Sequence, residues 1–281
     1  MIKFGPAGND LQYYEQGFKA TYQYMEYLNK KGLNLYEYEC TRGVNISDKL
    51  ASMLKQESNK YNIELSIHSP YYISLSTPDE NKQINSIKYI IDTMTAAKKM
   101  GAKRIVVHAG STLNMTRDLA LEYACRLLKR SIDKADSLDL GDITICPETM
   151  GKINQLGNSE EIIKMCKIDN RLIPTIDFGH LYCRKLGKLN DEASFESELM
   201  LYISELGYDR MKHFHCHFSK MIYTDGGEKK HVTFSDNDCG PNFEELAKVL
   251  KRLKLEPHII CESAGTQSID SIKMKSIYQN I

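Results

Sequence analysis

Phe4-Gly5-Pro6-Ala7-Gly8-Asn9-Asp10 (FGPAGND) follows the first candidate strand of this 281-residue chain, and its glycines separate two architectures. An open doubly wound sheet that holds a dinucleotide carries G-x-G-x-x-G at this turn, where the backbone approaches a pyrophosphate. FGPAGND lacks that spacing, which favours a closed barrel.

Outward from this turn a strand-then-helix pattern recurs. Candidate strands are IKFG (2–5), LYEYE (35–39), IELSIHS (63–69), RIVVHAG (104–110), ITICPET (143–149), IPTIDFG (173–179), HFHCHF (213–218) and IICESA (259–264). Segments with helical periodicity lie between them, clearest at 11–30, 80–100, 116–138, 158–168 and 243–254. Helix-entry signals stand at Ser47-Asp48 and at Asn158-Ser159 before Glu160-Glu161. Eight strands alternating with eight helices in 281 residues predict an α/β fold, a (β/α)8 TIM barrel. No Pro/Gly/Ser-rich linker divides the chain, so residues 1–281 read as a single domain.

Composition bounds the function. Formal net charge is zero, which argues against broad electrostatic capture of nucleic acid and leaves room for a local basic rim. The eight cysteines form no C-x-x-C pair, as expected of a reduced cytoplasmic protein. The chain opens directly on a strand, and no apolar run is long enough to span a membrane, so neither a leader nor a membrane association is expected.

In a barrel the C-terminal ends of the strands converge on one mouth. Strands three to eight bring His68, His108, Glu148, Asp177 with His180 just beyond, His215 and Glu262 to that end. One strand-end histidine alone is ordinarily a hydrogen-bonded structural residue. Four or five imidazoles with three carboxylates in one mouth are costly to bury without a cation, so metal binding is expected. A His/carboxylate set without regularly spaced thiolates suits zinc, manganese or iron. In HFHCHF the three imidazoles share one face. His215 is the expected ligand, His213 lies one pleat deeper, and His217 lies nearer the mouth, where it would contact substrate. Alternation turns Cys216 and Cys261 to the opposite face as packing residues.

The set IHSPYYISL around His68, VVHAGS around His108, CPETMGKINQLGN around Glu148, TIDFGH with Asp177 and His180, HCHFSK with His215, KKHVTF with His231 and CESAG with Glu262 resembles the endonuclease IV family. These are zinc-dependent apurinic/apyrimidinic endonucleases on a (β/α)8 barrel, within the wider xylose-isomerase-like superfamily. The resemblance runs over essentially the whole chain. It implies two to three metal ions. One would be held by His68, His108 and Glu148, and a second by Glu148, Asp177, His215 and Glu262. A third would take His180, His231 and an aspartate two residues before the latter. Position 229 is Lys rather than that aspartate, and Glu228 would need a register shift to serve. The loops after strands five and seven also depart from the family pattern.

The resemblance implies hydrolysis of the DNA backbone 5′ to abasic sites in base excision repair, by a monomer. Glu148 would bridge two ions, and Glu262 would orient or deprotonate the nucleophile. Tyr71 and Arg42 would contact the DNA. Lys220 and Lys230 are either phosphate contacts or solvated surface charges, and Lys229 is a candidate substitute for the third ion's charge. One rival is a divalent-metal sugar isomerase or epimerase of the same superfamily, using Glu148, Asp177, His215 and Glu262, with Glu37 at a position often acidic there. Another is a barrel that binds nucleic acid or a partner without turnover.

Overall fold

The computed structural model describes residues 1–281. Its main sheet contains β1 (Lys3–Pro6), β2 (Leu35–Glu39), β3 (Glu64–His68), β4 (Arg104–His108), β5 (Thr144–Glu148), β6 (Thr175–Asp177), β7 (His215–Phe218) and β10 (His258–Cys261). These strands pair in parallel in the order β1-β10-β7-β6-β5-β4-β3-β2, and helices cover their outer face. The expected TIM barrel is therefore what the chain forms. The seam between β1 and β2 is drawn together by Asn34 N–H donating to Phe4 O at 3.2 Å and Gly8 N–H to Glu37 O at 2.9 Å. Gly5 makes this approach possible, since a Cβ there would lie 1.7 Å from the Leu35 carbonyl oxygen. The opening stretch thus carries its glycine for barrel closure.

Two strands were not anticipated. β8 (Met221–Thr224) and β9 (Gly227–His231) form an antiparallel hairpin outside the barrel, between β7 and β10. β7 also begins two residues later than the HFHCHF pattern suggests.

Strand alternation divides the core. Outward residues such as Ile105, Val107 and Ile145 join a cluster of 61 buried apolar residues between strands and helices. The helices contribute an apolar stripe each; Phe243–Arg252 buries Phe243, Leu246, Ala247, Val249 and Leu250 at helical spacing. The cap signals read from sequence are used: Ser47 Oγ accepts from Leu50 N–H, and Asn158 forms a capping box with Glu161. Inside the barrel Ala7, Leu35 and Ile260 form a separate three-residue apolar cluster. Polar Glu37, Ser66 and His215 are buried beside one another there. No helix is long and apolar enough to cross a membrane.

Candidate metal centre

A cavity of about 420 Å³ opens at the C-terminal end of the strands. His68, His108 and Glu148 end β3, β4 and β5 at this mouth, and Glu262 follows β10. Asp177 has two structural duties. It ends β6, and as N-cap of the helix Phe178–Arg184 its Oδ1 accepts from His180 N–H at 2.8 Å. This turn fixes the D-x-x-H pair and aims His180 into the cavity.

Glu148 joins two donor sets. Its Oε2 is 3.2 Å from both His68 Nε2 and His108 Nε2. Its Oε1 is 3.1 Å from His217 Nδ1, which is 3.3 Å from Glu262 Oε1. The donor atoms of Glu148, Asp177, His217 and Glu262 form one cluster, and those of His68, His108 and Glu148 another. His217, rather than His215, completes the four-residue set. The reason is register: Asp177 pairs with His217, whereas His215 pairs one pleat lower with Thr175. His215 instead meets Glu37 inside the barrel, Nε2 to Oε2 at 2.9 Å. Glu37 Oε1 also lies 2.8 Å from His217 Nε2, and Glu37 Oε2 accepts from Ser66 Oγ at 2.7 Å. Glu37 thus backs both imidazoles from below.

The third set is His180, Glu228 and His231. Glu228 Oε2 is 3.6 Å from His180 Nε2. In a regular strand Glu228 and His231, three residues apart, would face opposite sides. The β8–β9 ladder pairs Ile222 with Lys230 and Tyr223 with Glu228, skipping Lys229. This β-bulge at Lys229 returns Glu228 to the face of His231. The register shift that Glu228 needs is therefore built in. Lys229 itself is exposed and does not line the cavity, so it does not stand in for the third ion's charge. The hairpin docks on the loop after β5, with Glu228 N–H donating to Gly151 O at 3.2 Å and Ile153 N–H to Gly226 O at 3.1 Å. Gly227, at φ +92°, permits this contact, since a Cβ there would lie 2.2 Å from Gly151 O.

The second ring nitrogens are engaged as metal-ligating histidines require. His68 Nδ1 lies 2.9 Å from Ser69 O and His180 Nδ1 lies 2.9 Å from Thr149 O, so each nitrogen donates there and leaves Nε2 as the one that would give up its proton to ligate an ion. His231 Nδ1 is held by Ser219 Oγ at 2.8 Å. Burial pushes Glu148 upward, but His217, His108 and His68 outweigh it and hold the carboxyl well below its usual range. Glu262 lies well above its usual value, from burial and from Asp177 and Glu148 despite His217. Burial lowers His217, yet Glu262, Glu37 and Glu148 raise it well above normal. Asp177 Oδ2 is buried without a hydrogen-bond partner. Three crowded carboxylates, an unpartnered carboxylate oxygen and tautomer-fixed imidazoles fit divalent ions.

Other expected residues are placed differently. Tyr71 is half exposed on the cavity wall and packs against Tyr72, ring centroids 5.1 Å apart. Arg42 is exposed on the turn after β2, beside the lining residue Thr41. Lys220 is drawn away, its Nζ donating to Asp236 O at 2.8 Å, and Lys230 is exposed outside the cavity. His213 lies at the opposite end of the barrel, where Nδ1 meets Glu256 O at 3.1 Å. Two charged lining residues went unrecognised in the sequence. Glu39 is raised to about 7 by burial despite His68, and its signal was the alternation of LYEYE, which places it on the face of Glu37. Lys152 is the one Lys or Arg lining the mouth, and nothing in GKINQLG marks it.

Residues 20–276 match the family described as xylose isomerase-like TIM barrel. An uncharacterised protein of Methanocaldococcus jannaschii is 32% identical over 281 residues, covering 100% of this chain and 98% of that protein. A probable endonuclease 4 of Malacoplasma penetrans is 26% identical over 174 residues, 60% of this chain and 58% of that protein. Among solved structures, a D-tagatose 3-epimerase-like protein superposes with a TM-score of 0.70 at 19% identity, over 99% of this chain and 96% of that one. Endonuclease IV from Thermus thermophilus gives a TM-score of 0.67 at 16% identity, over 92% of this chain and 94% of that one. These two likenesses speak for the fold alone.

Proposed function

The chain belongs to the xylose isomerase-like TIM barrel family, and from that premise we propose that it is a metal-dependent endonuclease of the endonuclease IV type, hydrolysing the DNA backbone 5′ to abasic sites in base excision repair. The observation that carries this reading is the presence of three adjoining donor sets, two sharing Glu148 and the third completed by a bulge-positioned Glu228. Sugar epimerisation needs one ion beside a carbonyl and has no use for the sets at His68/His108 and His180/His231.

The donors suit zinc, with manganese or iron next. Two or three ions held there would polarise phosphoryl oxygens and make water acidic enough to attack phosphorus near neutral pH. The chain's own residues do the rest. Glu148 presents one oxygen to each of two donor sets and fixes their spacing. Glu262, as a carboxylate at the edge of the Glu148/Asp177/His217 set, takes the proton released by the attacking water and passes it to the departing O3′. The phosphorus–O3′ bond breaks, leaving a 3′ hydroxyl on one strand end and a 5′ phosphate on the abasic sugar. Lys152 meets the phosphate, and Tyr71 stacks against the exposed sugar or base, with Arg42 at the duplex edge. The donor sets are complete within one chain, which supports a monomer, and eight free cysteines support a reducing compartment, the cytoplasm.

A second reading has one observation behind it. The mouth is small and carries a single Lys with no Arg, which suits a neutral sugar held by Glu148, Asp177, His217 and Glu262. The deciding test is incision of a duplex oligonucleotide with one abasic site, with bound metal quantified in the same sample. Cleavage 5′ to the lesion with two or more ions supports the endonuclease. No cleavage, with one ion and ketose epimerisation instead, overturns it.

A further inference from the structure

The N-terminal end of the barrel, opposite the mouth, contains a second polar cavity of about 890 Å³. Arg104, the first residue of β4, lines it, and the neighbouring strand places Thr144 in register beside Arg104. Arg104 lies four residues before His108 on the same strand, which puts the two cavities roughly 13 Å apart along the barrel.

The charge at this end is one-sided. The Arg104 guanidinium has no ion pair, and its Nη1 is shielded from solvent without a hydrogen-bond partner. Arg210, also lining the cavity, donates to the carbonyl oxygens of Leu172, Cys166 and Asp169 and to no carboxylate. Arg171 is already matched by Asp136 and Asp169. The one carboxylate lining the cavity is Asp209, which is exposed at the rim. Around Arg104 the ionisable neighbours add no free anion: Glu64 is taken by Lys3 and by His258 at 3.2 Å. Burial and the Arg104 charge hold the His258 imidazole well below its usual value. A guanidinium with a shielded, unpaired nitrogen is left unsatisfied unless an anion or water matches it.

We propose that this cavity is a metal-independent site for a phosphate group, free or as a phosphomonoester, centred on Arg104 with Thr144, Asn170, Arg210 and His213 around it. Guanidinium forks match phosphate oxygens, and the hydroxyl and amide supply neutral donors. The site does not depend on what the mouth catalyses.

The test is calorimetric titration of the metal-loaded full chain with inorganic phosphate and, separately, glucose 6-phosphate, together with melting curves. Arg104→Met and Arg104→Lys are compared with the unaltered protein, because phosphate reaching the metal mouth is common to all three. The expected result is one phosphate fewer for Arg104→Met, or that site weakened at least about tenfold. Arg104→Lys should retain weakened binding. Without phosphate, Arg104→Met should melt no lower than the unaltered protein, since it removes an unpaired, half-buried charge. Tighter binding of glucose 6-phosphate would assign the cavity to monoesters, and equal or weaker binding to inorganic phosphate. Phosphate binding unchanged in Arg104→Met overturns the proposal. So does a lower melting point of that variant in phosphate-free buffer, which would make Arg104 a structural residue matched by water.

Discussion

Replacing Glu228 by Gln tests whether the hairpin delivers a metal ligand. The variant keeps the shape of the side chain and removes its charge. Glu228 is 19% exposed and lies 3.6 Å from His180 Nε2, so an effective dielectric near 20 applies rather than that of a dry interior. A unit charge pair about 4 Å apart is then worth about 4 kcal/mol. Solvent and the amide's own carbonyl oxygen recover up to roughly half of this, leaving about 2–4 kcal/mol, or roughly 30- to 1000-fold in dissociation constant. Competition against a calibrated chelator should therefore show one weakened ion in Glu228→Gln, with the others unchanged. Deleting Lys229 is the companion experiment. It removes the bulge residue and leaves Glu228 and His231 two apart, the spacing at which a regular strand already puts both on one face. The deletion should keep the full ion count. An unchanged count in Glu228→Gln, or a lost ion on deleting Lys229, would refute the face argument.

Three further outcomes are expected. Glu148→Gln should strip metal and abolish turnover together, since one side chain serves two donor sets; full activity with retained metal would sink the mechanism. His217→Asn should lose an ion, whereas His215→Asn should keep the metal count and lose about 1–3 kcal/mol of stability, seen as a lower melting temperature, for leaving the buried Glu37 without one partner; the reverse pattern would restore His215 as the ligand. In metal-free protein, the mouth carboxylates outweigh burial and raise His68 to about 10 and His180 to about 9, from 6.5. The folded state then binds more protons than the unfolded one between these values, so this stabilisation is complete below pH 6.5 and fades as pH rises through about 9 to 10. Melting curves in chelator from pH 6 to 10 should fall across that window, and a flat or rising profile would contradict it.

Barrel strands and helix caps were legible because each leaves a local periodicity or a local residue preference. Ser47 and Asn158 announce their helices regardless of context. Strand ends were equally legible, and His68, His108, Glu148, Asp177, His180 and Glu262 gather at one mouth, whereas His231 was marked only by the family resemblance, its strand β9 having no signal of its own. The choice between His215 and His217 was not legible. Strict alternation makes the three imidazoles of HFHCHF equivalent, and only pairing with Asp177 on the neighbouring strand sets which one reaches the mouth. The same limit applies to Glu228. Its role depends on where a two-stranded ladder skips a residue, and Glu-Lys-Lys-His has no local signal for that. Arg104 reads as an ordinary strand-edge residue until the barrel closes around it.

The hairpin has a kinetic consequence. Its two strands pair only with each other and are held by backbone contacts at Gly151, Lys152, Gly226 and Gly240 and by packing on the helix Phe178–Arg184, where the Tyr182 and Tyr223 rings lie 5.4 Å apart. Local opening of such an appendage takes far less free energy than unfolding a closed barrel. Glu228 and His231 can thus release their ion by peeling away, while ligands on the barrel strands stay in place. Isotopic metal exchange should be biphasic, with a short residence time at the hairpin and a long one at Glu148. The lifetime of the faster ion would be tuned by how firmly the hairpin is docked rather than by the ligands themselves.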